Sequence, residues 1–142
     1  MEITYRFIEK GEEERASKIE QLCLDTAWSA SQISSLPENA FYLVASYNSE
    51  LCGCASVYCI AGEGQIMNIA VSPEFRGRGI GKGLMDELEK VCIQRNCEFI
   101  SLEVAVDNIS AVSLYKKCGY AQVAIRKGFY KGIDAMIMEK KL

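Results

Sequence analysis

Residues 68–83 read NIAVSPEFRGRGIGKG and combine the groups a protein needs to hold a phosphate. A short apolar strand, Ile66 to Val71, runs into Ser72-Pro73 and then into Arg76-Gly77-Arg78-Gly79-Ile80-Gly81. Glycines permit positive φ and let a ligand approach bare backbone N–H groups. A helix that begins directly after the loop adds the partial positive charge of its N-terminus. Arg76 and Arg78 add charge-assisted donors. The stretch predicts a ligand that carries a diphosphate.

Two known glycine loops fit poorly. A dinucleotide fingerprint opens its fold near a chain start, whereas Gly79-x-Gly81-x-Gly83 follows three antiparallel-type strands. A Walker loop needs a hydroxyl after its lysine, and Gly81-Lys82-Gly83 has none. What remains is Arg76-x-x-Gly79-x-Gly81 itself.

Proton transfer has few candidates. The chain contains no histidine, which removes Ser-His-Asp and Cys-His sites, imidazole shuttles and most catalytic zinc arrangements. Glu103 interrupts the apolar run Phe99-Ile100-Ser101-Leu102-Glu103-Val104-Ala105-Val106. A carboxylate in such a strand has an ionic partner, such as a lysine at the strand end, a raised pKa or access to a cleft. Tyr115 is a potential proton donor or an ordinary half-buried aromatic beside Leu114 and Cys118. A nucleophilic cysteine needs a cation or a helix N-terminus to lower its thiol pKa. Cys118 near a helix end has the opposite dipole, which makes it a poor nucleophile.

The elements that must position these residues follow from periodicity. Glu2 to Ile8 alternates as a strand. Glu12 to Thr26 has helical spacing, with Ala16, Ile19, Leu22 and Cys23 on one face, and Ser31 to Leu36 forms a short second helix before Pro37. Phe41 to Tyr47 and Leu51 to Ile60 make a hairpin through Asn48-Ser49-Glu50, and Ala61-Gly62-Glu63-Gly64 turns into the next strand. After the loop, Ile80, Leu84, Leu88, Val91 and Cys92 line one stripe of a long helix. Phe99 to Val106 is a strand for a sheet interior. Asp107-Asn108 caps a helix from Ser110 to Lys117 that Gly119 ends. Ala121 to Ile125 and Ile133 to Glu139 close the chain as strands. The order β α α β β β α β α β β predicts an α/β (α+β) fold, with a mixed, largely antiparallel sheet and helices on its faces.

Composition sets the broad class. A chain of 142 residues, 49 % hydrophobic and 25 % charged, reads as a single domain, residues 1–142, with a core of its own. No signal peptide and no apolar run of membrane-spanning length are visible, which predicts a cytoplasmic protein with no membrane partner. A net charge of −3 argues against a nucleic-acid partner. Seven cysteines in such a chain do not suggest a disulfide framework. Cys23, Cys59 and Cys92 read as small core residues. Cys52-Gly53-Cys54 lacks a second ligand pair, so no metal is expected.

The combination of loop, strand and capped helix resembles the GNAT acetyltransferase superfamily over essentially the whole chain. The motifs are Asn68-Ile69-Ala70-Val71, the Arg76-x-x-Gly79-x-Gly81 loop, Leu102-Glu103-Val104, and Asn108 to Tyr120 (NISAVSLYKKCGY). The resemblance implies acetyl-CoA as co-substrate and a GNAT fold whose strands bearing Asn68 and Glu103 splay apart. It places Ile69, Ala70 and Val71 along the pantetheine arm. Arg76, Gly77, Arg78, Gly79, Ile80, Gly81 and Lys82 then surround the diphosphate. Asn108 bonds the pantetheine arm, caps its helix, or does both. Glu103 is implied as the base that faces the amine and Tyr115 as the acid for the departing thiolate, by direct attack in a ternary complex.

Within the superfamily the chain most resembles the RimI type, which acetylates the N-terminal alanine of a small-subunit ribosomal protein. The cues are Trp28-Ser29, the run from Asn68 to Pro73, Leu102-Glu103-Val104, and the tail Arg126 to Met138 (RKGFYKGIDAMIM). Ala27 stands where that type has proline. Trp28 and Tyr130 are implied at the acceptor, with Trp28 as a core plug the competing role. Such an enzyme is expected as a monomer or weak dimer. An α-amine suits one carboxylate base, because its pKa is about 7.7–8.0 against about 10.4 for lysine. Roughly a tenth of α-amines are neutral at pH 7, against fewer than about one lysine in a thousand. Two other functions share the motifs: acetylation of a small amine or lysine side chain, and non-catalytic acyl-CoA binding.

Overall fold

The computed structural model describes residues 2–142, with Tyr130 described by its backbone alone. Seven strands and four helices follow in the order β1 (Thr4–Phe7), α1 (Glu13–Cys23), α2 (Ala30–Ser34), β2 (Ala40–Tyr47), β3 (Glu50–Ile60), β4 (Glu63–Val71), α3 (Ile80–Gln94), β5 (Phe99–Ala105), α4 (Ile109–Lys117), β6 (Ala121–Tyr130) and β7 (Ile133–Lys141). One 3-10 turn, Pro73–Phe75, lies in the loop before α3. The strands form a single sheet in the order β1-β2-β3-β4-β5-β7-β6. All neighbours are antiparallel except β4 and β5.

Both faces of the sheet are covered. On one, Leu43, Ala45 and Val57 pack with Leu84, Met85 and Leu88 of α3 and with Val112 and Tyr115 of α4. On the other, Tyr42, Val44 and Cys54 pack with Ala16 and Ile19 of α1 and Ile33 of α2. Tyr42 to Ser46 are therefore buried without a break, although alternate residues of β2 feed different cores.

The sequence-based boundaries shift where tertiary contacts take over. Helix α1 ends at Cys23 rather than Thr26, since Leu24 is already extended and its N–H bonds to Glu20 O at 2.7 Å. Ser29 starts α2 through a reciprocal capping box with Gln32. The turn before β4 is only Ala61-Gly62, both at positive φ, and β4 starts at Glu63. Strand β6 continues past Ile125 to Tyr130. A register shift between Arg126 and Tyr130 and a positive φ at Gly128 accommodate a stretch without alternation. Among the described residues, no helix is long and apolar enough to cross a membrane.

Candidate active site

A gap between β4 and β5 forms the centre of the site. The two strands pair only at Glu63↔Phe99, Gly64↔Ile100 and Gln65↔Ser101. The Ser101 hydroxyl donates to Glu63 Oε2 across the paired end. A bulge then skips Met67, since Ser56 pairs with Asn68 while Val57 pairs with Ile66. A bulge bends its strand, and from Ile66 to Val71 the β5-facing side of β4 has no strand partner. Strand β5 meanwhile stays paired to β7 as far as Ala105. The result is a slot between the two strands beyond Gln65 and Ser101.

The glycine-rich loop follows β4 at the unpaired end of that slot. Phe75 is buried under it, with the Tyr47 ring edge-on at 6.3 Å. Gly77 and Gly79 hold φ of +77° and +78°, and open space lies where their Cβ atoms would be. Gly79 is the N-cap of α3 and offers no side chain to cap it. The first helical bond at this end is from Gly83 N–H to Gly79 O at 3.0 Å. The N–H groups of Ile80, Gly81 and Lys82 precede it and point out of the helix end, as anion sites require. Gly81 lets α4 come close, because a Cβ there would stand 3.1 Å from Leu114 Cδ2.

The cations divide their tasks. Arg76 turns back toward β4, where Nε donates to Val71 O at 3.2 Å and Nη2 lies 3.3 Å from Cys23 Sγ. Arg78 lies over the Phe75 ring at 5.4 Å. Lys82 is exposed and pairs with Asp86 at 3.0 Å. The loop thus carries positive charge with Arg76 already anchoring it to the end of β4.

Glu103 stands on β5 at the open part of the slot, 29 % exposed, with Oε1 3.4 Å from Arg126 Nη1. Arg126 comes from β6, one strand beyond β7, and its guanidinium also stacks over Phe129 at 5.2 Å. Tyr115 of α4 faces the core, 6 % exposed, with the Tyr120 ring edge-on at 6.3 Å. Asn108 caps α4 through a 3.3 Å bond from Ala111 N–H to its Oδ1. Trp28 lies between α1 and α2, half-buried against the second core, its ring 6.5 Å from that of Tyr42. The side chain of Tyr130 lies outside the described residues.

Sequence reasoning missed a buried polar cluster beside β4. Glu20 is fully buried on α1. Its Oε1 accepts from Asn68 Nδ2 at 2.8 Å and from the Trp28 backbone N–H at 2.9 Å, and its Oε2 from the Tyr42 hydroxyl at 2.5 Å. Burial pushes the Glu20 carboxyl up from its ordinary value, against the opposing pull of Trp28 N–H, Tyr42 and Asn68. The cluster ties loop 24–29 to the strand that forms the slot. Its sequence signal was a glutamate beside Ile19 on the inward face of α1 and an asparagine inside an apolar strand. The Cys52-Gly53-Cys54 thiols do not converge, since the bulge at Cys52 sends Cys52 to one core and Cys54 to the other.

Slot, loop and fold together define an acetyltransferase of the GNAT class, and the chain belongs to the acetyltransferase (GNAT) family, which matches residues 5–120. A Bacillus subtilis (strain 168) relative is 39 % identical over 101 residues, covering 70 % of this chain and 67 % of the relative. Its name provisionally assigns it as a ribosomal protein bS18-alanine N-acetyltransferase. The crystal structure of the ribosomal-protein-S18-alanine N-acetyltransferase from Escherichia coli matches with a TM-score of 0.89 and 27 % identity, over 99 % of this chain and 94 % of that one. A chain of the NatC complex bound to Gag peptide and CoA matches with a TM-score of 0.84 and 25 % identity, over 100 % and 99 %. The chain is an N-acetyltransferase of the GNAT fold.

Proposed function

We propose that this chain moves the acetyl group of acetyl-CoA to the N-terminal α-amine of a protein in the cytoplasm, with the N-terminal alanine of a small-subunit ribosomal protein as its acceptor. The observation that carries the reading is the β4–β5 slot, which starts beside a partly exposed carboxylate just past the last strand pair and runs to a glycine-rich helix start. The names of the Bacillus and Escherichia relatives support the acceptor, and the CoA-bound NatC chain supports the donor.

In this reading the pantetheine arm lies along Ile69, Ala70 and Val71 as a surrogate strand. The diphosphate sits at the N–H groups that start α3, with Arg78 and Lys82 supplying charge. The amine nitrogen attacks the thioester carbonyl and loses a proton to Glu103, directly or through one water. The C–S bond then breaks, and the Tyr115 hydroxyl supplies the proton that the departing thiolate takes up. Two groups of the chain handle both protons, and no covalent acetyl-enzyme forms.

The test is a panel of acceptors incubated with acetyl-CoA. Peptides that begin Ala-Arg should be acetylated at the α-amine, whereas N-terminally blocked peptides with internal lysine and polyamines should react at least about tenfold more slowly, as the amine pKa difference demands. Preferential transfer to the polyamines or to lysine would replace this acceptor with a side-chain or small-amine one. Coenzyme binding without transfer to any amine would remove the catalytic reading.

A further inference from the structure

A second cluster with chemistry lies at the far end of α3, roughly 20 Å along the helix from the glycine loop. Cys59 of β3, Cys92 of α3 and Cys97 after it bring three sulfur atoms within 4.8 Å of one another. Cys59 Sγ and Cys92 Sγ are 4.0 Å apart. It is the one such grouping of potential ligands among the described residues.

Local structure explains the convergence. Asn96 takes the left-handed conformation, φ +62°, after the helix end at Arg95. The Cys97 N–H then bonds back to Cys92 O at 2.9 Å, and the Asn96 N–H to Ile93 O at 3.1 Å. That is a Schellman motif, which sets its third-from-last and second-following residues side by side. Here both are cysteines. Gly64 of β4 leaves the space the cluster needs, because a Cβ there would lie 2.5 Å from Cys92 Sγ.

The cluster also has a door. Cys59 and Cys97 line a cavity of about 280 Å³ together with Phe41 and Arg95. The Arg95 guanidinium lies over the Phe41 ring at 4.5 Å. Three thiols, an open side and an adjacent fixed cation are more than a close-packed core requires.

We propose that Cys59, Cys92 and Cys97 bind a thiophilic divalent d10 cation, zinc in chemical class, through three thiolates, with water from the cavity as the fourth ligand. Tetrahedral zinc with Zn–S bonds of about 2.3 Å puts its sulfur ligands about 3.8 Å apart. The present spacing is within about 1 Å of that, a matter of side-chain rotation. Three S–H bonds break, three metal–sulfur bonds form, and three protons pass to solvent. The bound unit carries one net negative charge beside Arg95. A monovalent d10 ion would leave two, which makes the divalent ion the better match. The site is independent of the acetyl-transfer reading.

Cobalt(II) titrated into the reduced, metal-free full chain tests this. A thiolate-to-cobalt charge-transfer band should saturate at one equivalent and vanish when zinc is added. Cys59→Ser and Cys97→Ser should each weaken cobalt binding at least tenfold, while Cys52→Ser leaves it unchanged. A band that is absent, or is insensitive to both Cys59→Ser and Cys97→Ser, overturns the site. A wild-type measurement guards against misfolded variants: zinc should slow alkylation of Cys59 and Cys97 at least tenfold, read by peptide mass spectrometry. Equal alkylation with and without zinc also overturns it.

Discussion

Arg126 Nη1 lies 3.4 Å from Glu103 Oε1, reaching over β7 from the edge strand β6 to the carboxylate beside the slot. Arg126 is 53 % exposed, so the pair is screened and adds little to stability. Its consequence is orientation: the guanidinium, stacked on Phe129, holds one carboxylate oxygen, and the proposed reaction uses the other. Glu103→Gln should cut turnover by about a hundredfold or more, the range for loss of a general base, with coenzyme affinity within twofold by calorimetry. Arg126→Ala should lower turnover less, by about tenfold or below. Wild-type turnover in Glu103→Gln at pH 7 would reduce Glu103 to a partner of Arg126.

Glu20 supplies a different kind of leverage. Its carboxylate holds Asn68 on β4 and the Trp28 N–H at once, so it fixes a loop and a slot wall together. Glu20→Ala strands three donors in a buried site and should cost about 3 kcal/mol or more. Glu20→Gln keeps an acceptor for two of them and should cost less. If loop 24–29 borders the acceptor, Glu20→Gln should raise the peptide KM more than the acetyl-CoA KM, with faster amide exchange at Trp28. Equal effects on both substrates would confine the cluster to stability.

The glycines of the loop separate strain from collision. Gly79 sits at φ +78° with empty space around it, whereas Gly81 has ordinary φ and Leu114 close by. Gly79→Ala therefore meets only the backbone penalty, about 1–2 kcal/mol, and relieves it by moving the N–H groups at the start of α3. Its acetyl-CoA KM should rise about tenfold, which is the same energy expressed in binding. Gly81→Ala asks only that the end of the Leu114 side chain shift by a few tenths of an ångström, and its KM should stay within about threefold. Identical behaviour of the two variants would break the link between Gly79 geometry and the coenzyme.

Much of this was readable locally. The loop, the α3 stripe, the Asn108 cap and the order of elements depend on residues close in sequence, and periodicity and turn chemistry report those. The rest depends on what meets across the sheet. The bulge at Met67 lies where β4 keeps its pairing to β3 on one side and has left β5 on the other. Arg126 reaches Glu103 because β7 inserts between β5 and β6, an order that strand patterns do not encode. Glu20 stands beside Ile19 in the sequence, but its partners Tyr42 and Asn68 meet it only when α1 is laid on β2 and β4. Cys92 reads correctly as a core residue, whereas Cys59 is only partly buried at the core's edge, and their meeting with Cys97 needs both the helix end and the hairpin in place.

Glu12 gives the fold a definite acid response. It precedes α1 and takes a bidentate hold from Arg6, with Nη1 and Nη2 at 2.7 and 2.8 Å, plus a 2.8 Å bond from the Glu9 N–H. The Arg6 guanidinium, opposed by burial and helped by that N–H and by Arg15, holds the Glu12 carboxyl down at about 2. An unfolded glutamate titrates near about 4.3. The folded value is the lower one, so the pair stabilises the protein fully above about pH 5 and loses that contribution as pH falls toward 2. Arg6 is 35 % exposed, and solvent screening brings the expected contribution down to about 2 kcal/mol. Urea unfolding at pH 7 and pH 3 checks this. Wild type should lose about 1 kcal/mol more than Glu12→Gln across that interval, since a carboxyl held at about 2 is still mostly ionised at pH 3, and Glu12→Gln should be the weaker of the two at pH 7. Parallel losses in the two proteins would place the acid sensitivity on other carboxylates.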